Sequence, residues 1–179
     1  MVHARDFAAA RRPMGTSDEM SRLYAVEARF TATGAAADHR WRVAPSRLTA
    51  VLVELGRAVL ARLDEAGGAA ESRGLRDALS ALSTGAEADL PPGAIEAMAS
   101  DLVEHRGASL IVGGETLGEA GLAVVHGLNL ALGNTGRTVG VIEMGAEEAT
   151  SSGAGLRALS DMVRAGAVRT LVCLETNPA

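Results

Sequence analysis

Apolar residues recur at helical spacing through much of this chain. The clearest case begins at Pro45, where leucines and valines spaced by three and four residues continue to Leu63. This spacing places them on one face of a helix, which we predict to run from Pro45 to about Gly67. Weaker patterns of the same kind predict shorter helices over residues 4–12, 75–82, 94–106 and 156–166.

Short apolar runs bounded by glycine or polar residues predict strands. Such runs occupy residues 22–28, 109–112, 138–142 and 170–174. We expect the first to be buried on both faces. Residues 31–42 are small and polar, and we interpret them as a loop.

The segment from Ser109 to Glu143 is the central unit of the predicted fold. It has the order strand, Gly113-Gly114 turn, helix to about Leu132, glycine turn and strand, which is typical of a βαβ unit. Alternating strands and helices indicate an α/β fold, namely a Rossmann-like parallel sheet with helices on both faces. We assign residues 1–20 to an N-terminal extension or linker and residues 21–179 to a single α/β domain.

Composition excludes several classes of function. The 179 residues carry a net charge of −5, and no cluster of Lys or Arg stands out, so nucleic-acid binding is not expected. No apolar run approaches the roughly 20 residues of a membrane span. Only Cys173 could supply a thiol, which excludes an intrachain disulfide and any metal site built from several cysteines of this chain.

Gly113 and Gly114 are the strongest candidates for a phosphate-binding turn, because they follow a predicted strand. Their spacing to Gly118 and Gly121 does not match the dinucleotide fingerprint, in which Gly-x-Gly-x-x-Gly precedes an acidic residue. An ordinary strand-to-helix turn is therefore the favoured interpretation, and nucleotide binding stays open as the weaker one.

The other candidate residues are more simply explained by structure. Asp38 beside His39 could serve acid–base chemistry, but a loop in which Asp and Thr side chains cap backbone groups is favoured. His105 suits a helix C-terminus, His126 is expected on a helix face, and Cys173 is expected to be a buried, inert thiol.

Several stretches together resemble one family, the molybdopterin-oxidoreductase-like part of the large iron–sulfur subunit of bacterial alternative complex III. That complex is a quinol-oxidising membrane assembly. The stretches cover most of the chain and are weakest over residues 64–95. They are Ala4–Arg12, Met20–Arg40, Asp101–Glu115, Leu128–Val139 and Asn177-Pro178.

The resemblance implies a fold related to molybdopterin enzymes and a place among the subunits of a membrane-bound respiratory complex, on its periplasmic side. Iron–sulfur clusters are expected elsewhere in such a subunit. Under the active-enzyme alternative, Gly113, Gly114 and Asn177 would line molybdopterin guanine dinucleotide. Glu175 and Thr176 replace the two glycines that usually precede Asn-Pro in the family, and a negative charge there disfavours the cofactor's pyrophosphate.

We therefore expect a cofactor-free structural segment without metal ligands of its own and without catalysis by this chain alone. Two alternatives remain: part of an active molybdenum bis-pterin oxidoreductase, and a small Rossmann-like nucleotide-binding module. We also expect the chain to be a fragment of a longer subunit and, in isolation, to be poorly soluble or to associate with itself.

Overall fold

A computed structural model of the chain describes residues 2–15, 20–65, 72–82, 87–140, 142 and 152–172. The chain divides into two compact units, Met1–Val141 and Ile142–Ala179. The elements of the first unit are, in order, α1 (Val2–Ala9), β1 (Tyr24–Glu27), α2 (Ala32–Ala35), β2 (His39–Arg42), α3 (Pro45–Glu65), α4 (Arg73–Ala81), α5 (Ala94–Glu104), a 3-10 turn (Glu115–Leu117) and α6 (Gly118–Ala131).

Helix α3 is the centre of the core in this unit. Its apolar positions from Val51 to Leu63 are buried against α4, α5 and α6. Gly127 of α6 lets two helix backbones approach each other, since a Cβ added there would lie 3.1 Å from the Leu75 Cα of α4. The helices predicted around Pro45, Leu75 and Ala94 are confirmed.

Strands β1 and β2 form a two-stranded parallel sheet in which Tyr24 lies opposite His39 and Glu27 opposite Arg42. The described part of the chain is thus a mixed α/β structure with a small parallel sheet. The prediction of a strand around residues 22–28 is confirmed. The prediction that it is buried on both faces is wrong, because only Ala25 is fully buried.

The prediction of a loop over residues 31–42 is also wrong. Thr31 caps α2 by accepting a hydrogen bond from the Gly34 N–H at 3.0 Å, and β2 follows. The β2 residues lack the strict apolar alternation that marks a strand, but stacking holds them in place. The rings of Tyr24, His39 and Trp41 lie with centroids 5.1–6.0 Å apart.

The predicted βαβ unit keeps its helix and its second turn but lacks its strands. Residues 109–112 and the described part of 138–142 are not in strands. The second run instead begins in a turn, because the N–H groups of Thr138 and Val139 both donate to the Asn134 carbonyl oxygen and Thr135 forms an isolated bridge to Val139.

The second unit contains α7 (Ser152–Arg164), as the leucine spacing predicts. Gly166 follows the helix, and its positive φ of 69° allows the N–H of the next residue, Ala167, to bond the Met162 carbonyl oxygen at 3.0 Å. Residues 170–172 are not in a strand, which contradicts the prediction there; residues 173–174 lie outside the described part.

Within the described ranges, no helix combines the length and the apolar character that crossing a membrane requires.

Candidate functional site

An apolar cleft of about 1050 Å³ lies in the first unit. One wall is β1 with its flanking residues, and the other is the extended segment 108–114. The floor is formed by apolar side chains of α3, α5 and α6: Leu48, Val51, Leu52, Leu55, Met98, Leu102 and Val125.

The wall formed by residues 108–114 is held in place by side-chain amides instead of a neighbouring strand. Asn129 of α6 accepts a hydrogen bond from the Ile111 N–H at 3.1 Å and donates to the Ile111 carbonyl oxygen at 2.8 Å. Asn134 donates to the Asn129 amide oxygen at 3.0 Å and bonds the Ser109 hydroxyl. Both asparagines are buried, so these bonds are shielded from water.

Gly113 and Gly114 lie on this wall, immediately before the 3-10 turn, but they differ in their surroundings. A Cβ on Gly113 would lie 2.9–3.1 Å from side-chain atoms of Leu117, Val125 and Leu122. A Cβ on Gly114 would have only the Thr116 hydroxyl within 4 Å, at 3.8 Å. Position 113 therefore requires a glycine, because α6 and the preceding turn pack onto it.

These surroundings do not fit the pyrophosphate of a pterin nucleotide. The space beside Gly113 is filled by leucine and valine side chains, where a cofactor would need close access to the backbone. Glu115 and Glu119 lie in the first turns of the 3-10 helix and α6, where a bound phosphate would need cations or free N–H groups. Asn177, the third candidate, lies outside the described residues.

A second polar group closes the end of the cleft where β1 begins. Arg22 donates to both carboxylate oxygens of Asp101 at 2.8 Å, and the Tyr24 hydroxyl donates to the same carboxylate at 2.5 Å. Burial of the phenol, together with its hydrogen bond to Asp101, raises the pKa of Tyr24 above its ordinary value. This group ties β1 to the last turn of α5.

Asp101 also belongs to a set of three possible metal ligands. Each of Asp101, Glu104 and His105 offers one atom, and these atoms lie within 4.8 Å of one another. Arg22, however, already neutralises Asp101, and the Nδ1 atom of His105 lies 2.8 Å from the Asp101 carbonyl oxygen. The arrangement is an ion pair beside a helix C-terminus, and His105 occupies the capping position that its sequence context indicates.

Asp38 and His39 do not form an acid–base pair. Asp38 accepts two hydrogen bonds from the Arg11 guanidinium and one from the Leu23 N–H at 2.8 Å. The Arg11 guanidinium, followed by the Leu23 N–H, holds the pKa of this carboxyl well below its usual range. His39 is stacked on Tyr24 and Trp41. The interpretation of Asp38 as a residue that caps backbone groups is confirmed.

Glu27 is a similar anchor at the other end of β1. It accepts hydrogen bonds from the Thr31 hydroxyl and the Arg40 guanidinium, both at 2.6 Å, and these bonds lower its pKa. A Cβ on Gly34 would lie 2.0 Å from the Glu27 carboxylate, so a glycine is needed for this contact. His126 is exposed on α6, and Cys173 lies outside the described residues.

Comparisons of the chain with models of known protein families, with curated proteins and with solved structures find no match.

Sequence reasoning missed the asparagine pair and the Arg22–Asp101–Tyr24 group. A signal for the first existed, because Asn129 interrupts an otherwise apolar face of a predicted helix. The spacing of Asp101, Glu104 and His105 by three and one residues also places their side chains on one helix face. The partners of Asp101, which lie 77 and 79 residues away in the chain, have no such local signal.

Proposed function

We propose that this chain is a cofactor-free structural segment of a molybdopterin-oxidoreductase-like subunit in a quinol-oxidising respiratory complex. In this proposal it belongs to a Rossmann-like fold on the periplasmic side of the membrane. It holds neighbouring electron-carrying parts in position and performs no chemistry itself. The proposal takes the family from the sequence resemblance, and the packing around Gly113 is its main structural support.

Gly113 is the residue that a pterin nucleotide would approach if the resemblance extended to cofactor binding. Three apolar side chains of the turn and α6 fill that position instead. Such packing supports the proposal that the glycine of this turn allows close packing of α6 and that the pterin nucleotide has been lost. The acidic residues Glu115 and Glu119 also disfavour a bound phosphate, because they repel a further negative charge at the start of α6.

The polar groups of the first unit also support a structural role. Asp38, Glu27 and Asp101 each accept hydrogen bonds from an arginine and from a further donor of the fold. Carboxylates engaged in this way orient secondary structure, whereas a general acid or base must present a free proton site to a substrate.

The experiment is purification of the native assembly that contains this chain, followed by metal analysis and a quinol oxidation assay. We expect copurifying iron–sulfur and membrane subunits, quinol oxidation, and neither molybdenum nor tungsten in stoichiometric amount. Stoichiometric molybdenum or tungsten would favour the active-enzyme alternative. Purification of the chain without respiratory subunits would refute the proposal as a whole.

The cleft beside Gly113 and Gly114 favours a second candidate, a small nucleotide-binding module, because ligand sites are commonly concave and largely apolar. Calorimetry of the isolated chain with a panel of mono- and dinucleotides tests it. Micromolar binding that is lost in Gly114→Glu would support the module, and the absence of binding across the panel would eliminate it.

A further inference from the structure

One wall of the cleft is the edge of β1 that faces away from β2, and no strand in the described ranges pairs with this edge. The carbonyl oxygens of Leu23 and Glu27 accept hydrogen bonds from His39 and Val43 on the β2 side. Because main-chain groups alternate in direction along a strand, the N–H and C=O groups of Tyr24 and Val26 face the opposite edge. Both residues line the cleft.

The opposite wall, residues 108–114, also has alternate main-chain groups without a hydrogen-bond partner in the described part of the chain. The main-chain groups of Ile111 are bonded by Asn129, and the Ser109 carbonyl oxygen accepts a bond from the Thr138 hydroxyl. The main-chain groups of Leu110 and Val112 have no hydrogen-bond partner among the described residues. The two residues are 54% and 81% exposed. Each wall therefore offers alternate donors and acceptors, as the edges of a sheet do.

The size of the cleft matches a strand. In a sheet, each residue advances about 3.3 Å along its strand, neighbouring strands lie about 4.8 Å apart, and a sheet layer is about 10 Å thick. One residue of a strand therefore occupies a volume of roughly 160 Å³. A volume of about 1050 Å³ therefore holds a strand of roughly six or seven residues. The apolar floor would accept every second side chain of such a strand.

The two ends of the cleft, at the start and beyond the end of β1, carry charges of opposite sign. Where β1 begins, two carboxylates, Asp101 and Glu104, lie near one arginine, Arg22, at the negative end of α5. Beyond the end of β1, Glu27 is neutralised by Arg40, whereas Arg29 is exposed and lines the cleft. A strand parallel to β1 would complement both ends if it began with a cation and ended with an anion.

We propose that this cleft binds an extended, apolar segment of another polypeptide. The segment adds as a strand parallel to β1, and it carries a cationic residue at its start and an acidic residue at its end. The free main-chain groups on both walls select a polypeptide over a small apolar molecule, since only a backbone matches a row of alternating donors and acceptors. The inference uses the first unit alone and does not rest on the proposed function.

The test uses the 179-residue chain and the peptide Lys-Val-Thr-Val-Thr-Val-Glu with blocked termini, measured by isothermal titration calorimetry. Two further peptides are controls: one with its central amides N-methylated and one with the terminal Lys and Glu exchanged. We expect binding of the first peptide, at least about tenfold weaker binding of the N-methylated one, and about threefold weaker binding of the exchanged one.

Two variants of one residue test the wall itself. Val112→Pro removes an N–H that has no hydrogen-bond partner among the residues that the structure describes, whereas Val112→Ala keeps that N–H and shortens the side chain. We expect Val112→Pro to weaken peptide binding at least about fivefold and Val112→Ala to weaken it less than about twofold. Far-UV circular dichroism establishes that both variants are folded.

Three results would overturn the proposal: no binding at about 1 mM peptide, equal binding of the N-methylated peptide, or equal binding to Val112→Pro and Val112→Ala. Equal binding of the N-methylated peptide would indicate a site for small apolar molecules. Because both peptide controls use the unmodified protein, the test remains decisive if Val112→Pro does not fold.

Discussion

The side chain of Asn129 forms two hydrogen bonds to the backbone of a single residue, Ile111. It donates to the carbonyl oxygen and accepts from the N–H, at 2.8 and 3.1 Å. A neighbouring strand would satisfy alternate backbone groups in much the same way. One asparagine of α6 thus fixes an extended segment that has no strand partner in the described structure, and it gives the cleft a rigid wall.

We predict that Asn129→Ala destabilises the fold by about 3 kcal/mol. The substitution leaves the N–H and C=O of Ile111 and the amide of Asn134 without their buried partner, and each such group costs about 1–3 kcal/mol. Urea unfolding followed by circular dichroism measures the change. The neighbouring, partly exposed Leu130 is the control, and Leu130→Ala should cost less than about 1 kcal/mol. Equal losses in the two variants would contradict the role given to Asn129.

We predict opposite effects for two adjacent glycines. Gly113→Ala should destabilise the fold by about 1–3 kcal/mol, because its Cβ would press on Leu117, Val125 and Leu122. Gly114→Ala should be neutral or stabilising by up to about 1 kcal/mol, because space is free and alanine restricts the unfolded chain. Thermal unfolding of both variants checks this, and a large loss in Gly114→Ala would show that this turn is more constrained than its contacts indicate.

The helices were predictable because their signal is local. The spacing of Val51, Leu55 and Val59 fixes a buried face whatever that face packs against. The same reasoning placed α4, α5, α6 and α7 with boundaries within a few residues. His105 and Thr31 were likewise predictable as capping residues, since each acts within one helical turn.

The strands were harder to predict, because a strand is defined by its partner. Residues 109–112 have the composition of a buried strand, yet Asn129 takes the place of a neighbour and Val112 is exposed. Residues 39–42 have an unfavourable composition, yet they pair with β1 and a stack of rings supports the pairing. A single sequence contains no direct information about these long-range pairings. The cleft, which lies between two such extended segments, could not be predicted for the same reason.

We predict that the single tyrosine titrates at higher pH than a free phenol, whose pKa is about 10. Burial and the Asp101 hydrogen bond raise the pKa of Tyr24, so its neutral form stabilises the fold below pH 10 and this contribution is lost as pH rises further. Phenolate absorbance against pH gives the midpoint. Asp101→Asn should move it toward 10, and an unchanged midpoint would contradict a contribution from that carboxylate. Circular dichroism at each pH separates titration from alkaline unfolding.

We predict that Asp38 makes the fold sensitive to acid. Its pKa is lowered in the folded chain, so its contribution is fully present above the unfolded value of about 3.9 and is lost as pH falls below that value. Asp38→Asn keeps an acceptor for the Leu23 N–H but loses the ion pair with Arg11, so it should lower Tm by a few degrees at pH 7 and flatten the decline of Tm below pH 4. Thermal unfolding at a series of pH values measures both effects, with Asp77→Asn on the exposed face of α4 as the control. If the two variants show the same decline of Tm with acid, the acid sensitivity arises from carboxylates other than Asp38.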